Sequence, residues 1–210
     1  MAGCCAPQDY RRLFNGRTAS RDARRYRKSG LPDTARTLVE LAGDVRGATV
    51  LDVGGGIGAI ELELLEAGAD RATSVEISGA YEHEATALLE EHGLAGRVER
   101  RVDDFVAAEI EPHDVVVLHR VVCCYPDVDA LVGTAAERTR RRLLLTYPQE
   151  RAVLRAGSRL VNLWLLVTRC GFRTYVHPVD RIVAAAAQRG LRVERRERHG
   201  LVWESAALVR

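Results

Sequence analysis

The residues best suited to chemistry lie in one short loop and at a few later positions. Leu51-Asp52-Val53-Gly54-Gly55-Gly56-Ile57-Gly58 places glycines at 54, 56 and 58 directly after a β-rich run. Glycine there lets the backbone turn sharply and lets a ligand approach with no Cβ in the way. Acidic residues follow the next two strand-like runs, as Glu76 and as Asp103-Asp104 ahead of Phe105. A carboxylate about twenty residues beyond a Gly54-x-Gly56-x-x-Ala59 string can hold ribose hydroxyls, so one reading is a dinucleotide site and a NAD-dependent oxidoreductase. His119, Tyr125 and His177 are the candidate catalytic groups, with His119 first as base or orienter and Arg120 placed to hold an acidic substrate. His83, His92, His113 and His199 read as surface or turn residues. Four of the five cysteines form two vicinal pairs, Cys4-Cys5 and Cys123-Cys124. Adjacent residues of a strand point to opposite faces, so a chelate needs irregular backbone or one sulfur from each pair. Such thiolates select soft centres, which makes Cys4, Cys5, Cys123 and Cys124 the candidate metal or metalloid ligands.

These groups need a scaffold, and the hydrophobic pattern supplies one. Strands are predicted at Thr49–Val53, Arg71–Ile77, Arg97–Val102, Asp114–Leu118, 142–147, 191–197 and 201–209. Helices are predicted at Ala59–Ala67, Ala80–His92, 129–140, 150–169 and 179–188. Strands alternating with helices at this spacing give an α/β doubly wound sheet, mostly parallel, with ligands at the carboxyl ends of the strands. Residues 1–45 form a helical segment ahead of the domain at 46–210, and the segment is a candidate lid. Asp9 to Lys28 reads as one basic helix with Tyr10, Leu13, Phe14 and Arg17 on its docking stripe. Gly30 and Pro32 break it, and Asp33 or Thr34 caps the next helix, which runs to about Gly43. The second half of the helix around Trp164 is apolar nearly all round, which predicts a buried helix first and an apolar substrate wall second.

Composition narrows the classes. With 210 residues, 47 % hydrophobic and 29 % charged, the chain is neither disordered nor fibrous and suits a single core. Lys+Arg 31 against Asp+Glu 29 leaves +2, so no nucleic-acid partner is expected, and a small molecule is. The arginines near the N-terminus suit a solvated face or a lid over an acidic substrate. No apolar run approaches the ~20 residues of a membrane span. No apolar leader precedes Cys4 and Cys5, so a reducing cytoplasm is the expected location.

Read as Asp52-x-Gly54-x-Gly56-x-Gly58, the loop resembles the first motif of class I S-adenosylmethionine-dependent methyltransferases. Asp103-Asp104-Phe105 resembles their acidic-aromatic adenine motif, and the two closing strands resemble their antiparallel hairpin. The resemblance spans about residues 45–210. It implies a seven-stranded Rossmann-like fold and S-adenosylmethionine as cofactor, with Gly54, Gly56 and Gly58 at the methionine end. Glu76 would take the ribose, and Asp104 with Phe105 the adenine. Asp52 suits the donor's cationic amino group, where a pyrophosphate would be repelled. A looser likeness to magnesium-protoporphyrin O-methyltransferases rests on Asp114 to Pro126, Leu144 to Pro148 and Gly190 to Trp203. The strand before His119 runs into Leu118-His119-Arg120, without the Pro-Pro-aromatic turn of amino-group and nucleobase methyltransferases. The resemblance implies O-methylation of a small molecule, with thiol-assisted methylation of a soft element such as arsenic as the alternative.

Overall fold

β1 (Thr49–Val53) is buried along all but its first residue and has a parallel partner on each side. The structure, a computed structural model, describes Tyr10 and residues 13–210. β2 (Arg71–Glu76), β3 (Val98–Val102), β4 (His113–His119) and β5 (Thr139–Pro148) extend the parallel sheet on either side of β1. β6 (Arg192–His199) and β7 (Trp203–Val209) form a hairpin whose second strand joins β5 in antiparallel register. The seven-stranded order is β3-β2-β1-β4-β5-β7-β6, so the winding reverses between β1 and β4. Loops after β1 and β4 therefore diverge there and leave a crevice at their carboxyl ends.

Alternation along the strands feeds two cores. Val50, Val115 and Val117 point to the layer of α1 (Gly16–Ser29), α2 (Asp33–Ala42), α3 (Ala59–Glu66) and α4 (Glu82–Glu91). Leu51, Val116 and Leu118 point to the layer of α5 (Val128–Glu137) and α7 (Val179–Ala187). The helical segment before β1 shares the first core through Ala19, Ala23, Ala35 and Leu38. α6 (Ala152–Val167) stands apart.

Several expectations from sequence need correction. Among the described residues the basic helix runs from Gly16 to Ser29, because Asn15 accepts bonds from the Arg17 and Thr18 amides and so caps a helix there; Asp9, where the basic stretch begins, lies outside the described residues. The Leu13 and Phe14 amides both donate to the Tyr10 carbonyl, and Arg17 is exposed, outside any apolar stripe. Neither Asp33 nor Thr34 caps α2, whose N-cap is Pro32. Residues 139 and 140 belong to β5 rather than to the preceding helix. Thr139 pairs with His113, and a bulge between His113 and Val115 takes up the extra residue of the arginine run. His113 is buried and joined to Thr73 Oγ1 at 2.9 Å, so it is not a surface residue. The largest correction is α6, in which only Leu165 is buried. Ser158 and Asn162 bond to Thr174, and Leu165 packs with Tyr10, Cys170 and Phe172; the rest of the apolar face is exposed. Among the described residues no helix is long and apolar enough to cross a membrane.

Candidate active site

Gly54, with φ 65°, passes so close to the chain after β4 that a Cβ would stand 2.7 Å from Val121 Cγ2. Gly56, with φ 60°, would meet the Tyr81 ring at 3.2 Å, so both positions require glycine on conformation and on space. Gly58 starts α3 in the left-handed region and lies against Glu61. Gly54, Gly55 and Gly56 line a cavity of about 400 Å³; Gly58 shapes the loop from outside it. Glu76 enters the same cavity from the end of β2. Its carboxylate accepts from the Gly56 amide at 3.1 Å and the Ser78 amide at 2.9 Å, so strand end and loop are tied together. Burial pushes its pKa up, while these two bonds oppose the shift.

A smaller cavity of about 60 Å³ continues beyond Gly54 and Ile77. Asp103, Asp104, Phe105 and Tyr125 line it. The Tyr125 hydroxyl points at Asp104, 3.4 Å from Oδ1, so this candidate catalytic group faces the second cavity. His177 is buried, holds the Tyr125 carbonyl at 3.0 Å through Nε2 and stacks on Tyr175. It lines neither cavity and fixes the loop that carries Tyr125.

The far wall comes from the N-terminal helices. Tyr10, Phe14, Asp22, Arg25 and Tyr26 line the larger cavity opposite the glycine loop. The Tyr10 hydroxyl donates to the Cys124 carbonyl at 3.0 Å and Ser78 Oγ to the Phe14 carbonyl at 2.7 Å, which hold this wall in place. His119 and Arg120 close the cavity near α2. Arg120 donates to Thr34 Oγ1 at 3.1 Å, and the same hydroxyl lies 2.9 Å from His119 Nε2. Burial, then Arg120 and His199, hold the His119 pKa down to about 3, so the ring is neutral and Nε2 shares a hydrogen bond with the Thr34 hydroxyl. Arg120 itself adopts φ 59°, and its guanidinium lies 4.6 Å above the Trp203 ring. Burial, with Arg25 as a nearby like charge, lowers its pKa, and Cys123 opposes the shift.

Beneath the loop lies a buried charge cluster that sequence reasoning missed. Asp52 is fully buried against Gly55, and neither carboxylate oxygen has a hydrogen-bond partner. It lies outside both cavity linings, so it does not take the place expected for it beside the donor's amino group. Glu61, also fully buried, receives Arg100 Nη1 at 2.8 Å. Arg100 further donates to Glu82, to Ser74 Oγ and, at 3.2 Å, to the Gly56 carbonyl. One cation thus links the buried carboxylates to the turn of the glycine loop. Desolvation raises the pKa of both Asp52 and Glu61; Arg100 opposes the shift at each, while Glu76 adds to it at Asp52 and Asp52 adds to it at Glu61. Groups that keep protons in the folded state above their unfolded pKa give stability that is complete below about pH 4 and fades as pH rises through the folded values, near pH 8. Urea midpoints are therefore expected to fall between about pH 4 and 8, and Asp52→Asn should flatten the slope. A slope unchanged in that variant would remove Asp52 from the account.

One of the two vicinal cysteine pairs lies within the described residues. Cys123 and Cys124 Sγ lie 3.5 Å apart, and Cys124 lines both cavities. Cys4 and Cys5 lie outside the described residues. Among the described residues no three His, Cys, Asp or Glu side chains gather around a possible metal position.

A methyltransferase-domain family profile matches residues 23–195, most of the chain. The chain belongs to the S-adenosylmethionine-dependent methyltransferases. S-adenosylmethionine is its cofactor, and the oxidoreductase reading of the glycine loop falls. Magnesium protoporphyrin IX methyltransferase from Synechocystis PCC 6803, solved with bound SAH, is similar at TM-score 0.75 and 20 % identity, over 97 % of this chain and 99 % of that one. An O-methyltransferase family protein from Burkholderia thailandensis is similar at TM-score 0.72 and 20 % identity, over 92 % of this chain and 58 % of that one. Geranyl diphosphate C-methyltransferase from Streptomyces coelicolor A3(2) follows at 0.69 and 14 %, over 84 % and 76 %. At such identities the likeness establishes the methyltransferase fold. No curated protein sequence matches this methyltransferase.

Proposed function

We propose that this methyltransferase O-methylates a small molecule, and that the acceptor oxygen belongs to a carboxylate. The observation that carries the reading is the pairing of Arg120 with a neutral, hydrogen-bonded His119 in the cavity wall. Phenol or alcohol acceptors gain from a base near neutrality, whereas a ring held to about 3 and already bonded at Nε2 is a poor one. A carboxylate is a competent nucleophile at neutral pH and needs no base. Two like charges, Arg25 and Arg120, border the cavity, and an anionic acceptor would relieve their repulsion. Magnesium protoporphyrin IX methyltransferase is among the similar folds.

In this reading the glycine loop accommodates the methionine end of the donor, Glu76 the ribose hydroxyls, and Asp104, Phe105 and Ile77 the adenine. The donor supplies an electrophilic methyl on sulfur, and the protein's task is to align an oxygen with it. Arg120 would hold the second carboxylate oxygen, and the N-terminal helices would act as a lid that excludes water.

Product chemistry tests this directly. Methyl label from S-adenosylmethionine should enter small acidic acceptors as an ester that mild alkali cleaves, with turnover flat between about pH 6 and 9 because no acceptor proton leaves. Arg120→Ala should cost about 1.5–3 kcal/mol of acceptor recognition, roughly 10- to 150-fold in kcat/KM. An alkali-stable methyl product, or turnover rising tenfold per pH unit, would refute the carboxylate reading.

A further inference from the structure

Trp203 is the first residue of β7 and pairs with Pro148, the last residue of β5. The β6–β7 hairpin therefore turns back at the edge of the sheet where the loops after β1 and β4 diverge. Gln149 fixes the turn from inside the fold. Its amide donates to the Val202 carbonyl at 2.8 Å, and its buried side chain donates through Nε2 to the Gly200 carbonyl at 3.1 Å and the Trp203 carbonyl at 3.0 Å. The indole is thus carried on a braced element, as a side chain that must hold another in place has to be.

What it meets is Arg120. The guanidinium carbon lies 4.6 Å from the centre of the Trp203 ring, well inside the ~6 Å reach of a cation–π contact. Nη2 donates to the buried Thr34 hydroxyl at 3.1 Å. An indole backs the guanidinium and a hydroxyl tethers one corner, yet neither contact neutralises the charge. No carboxylate among the described residues pairs with Arg120, and the cation nearest it in the cavity wall is Arg25. The backbone adds a second observation. Arg120 has φ 59°, one of two positive values among the described non-glycine residues. Glycine would adopt that conformation with less strain, so the position holds an arginine for its side chain.

We infer that Trp203 is a positioning residue for the methyl acceptor: its indole, with Thr34 at one corner, orients Arg120 toward an anionic oxygen in the larger cavity. The inference rests on the reading that Arg120 holds a carboxylate. Trp203→Phe keeps a π face, whereas Trp203→Leu and Trp203→Met keep only apolar bulk. The test is calorimetric titration of the full chain, saturated with S-adenosylhomocysteine, with acetate and with benzoate. Leucine or methionine at 203 should weaken both carboxylates roughly 3- to 30-fold, the worth of the lost cation–π contact, and phenylalanine should recover most of it. Thr34→Val, which removes the other contact at similar volume, should act in the same direction. Affinity for S-adenosylmethionine should stay constant across the series. In an Arg120→Ala background, Trp203→Leu should add nothing, because the indole acts only through the guanidinium. Carboxylate affinity unchanged in both the leucine and methionine variants, or a loss that persists without Arg120, would overturn the inference and leave the carboxylate reading standing. Parent protein that binds neither carboxylate, or Arg120→Ala that binds them as tightly as the parent, would overturn that reading and this inference with it.

Discussion

Arg100→Leu is expected to destabilise the methyltransferase by about 3–5 kcal/mol, a drop in Tm of roughly 10 °C for a chain of this size. Asp52 and Glu61 are fully buried, and Arg100 is the cation that faces them. Removing Arg100 takes the ion-pair partner from Glu61, and above the folded pKa values of Asp52 and Glu61 the buried carboxylates then stand uncompensated, so the loss is largest at alkaline pH. The same side chain holds the Gly56 carbonyl, so donor affinity should fall together with stability. Adding Asp52→Asn and Glu61→Gln to Arg100→Leu separates the two effects. The neutral triple variant should regain most of the stability and little of the donor affinity. A single variant as stable as the parent would show that water, not Arg100, compensates these carboxylates.

Glu76→Ala should weaken S-adenosylmethionine by about 1.5–3 kcal/mol, roughly 10- to 150-fold in Kd by calorimetric titration. The carboxylate fastens the Gly56 and Ser78 amides and lines the larger cavity, so alanine removes a charged ligand group and slackens the loop that shapes the site. Glu76→Gln keeps one acceptor oxygen for the amides and should recover part of the loss. Equal Kd values for parent and Glu76→Ala would move the donor ribose elsewhere in the cavity.

Sheet and glycine loop are legible in the sequence because their signals are local. Asp-Val-Val-Val-Leu at 114–118 can hardly be anything but a central strand, and glycines at 54 and 56 announce positive φ and close approach. The Arg100 cluster is not legible, because Glu61, Glu82 and Arg100 stand on three elements and each looks like an ordinary solvent-facing charge. Only the fold brings Glu61 of α3 beneath Arg100 of β3. The run from Leu160 to Val167 misled for the opposite reason. An apolar stretch reads the same whether protein or something else covers it, and periodicity cannot say which. Asn15 was a findable signal, since asparagine before a polar helical run is a good N-cap, yet the flanking arginines made the segment look continuous.

Strand order also governs how this chain can be made. β7 follows β6 in sequence but lies between β5 and β6 in the sheet. On the ribosome β6 emerges first and has nothing to pair with, while the edge of β5, including Leu143, Leu144 and Leu145, waits uncovered. That half of the sheet closes only after Trp203 to Val209 has cleared the exit tunnel. During the interval the nascent chain offers an unpaired apolar edge, the kind of surface that chaperones bind and that crowded synthesis turns into aggregates.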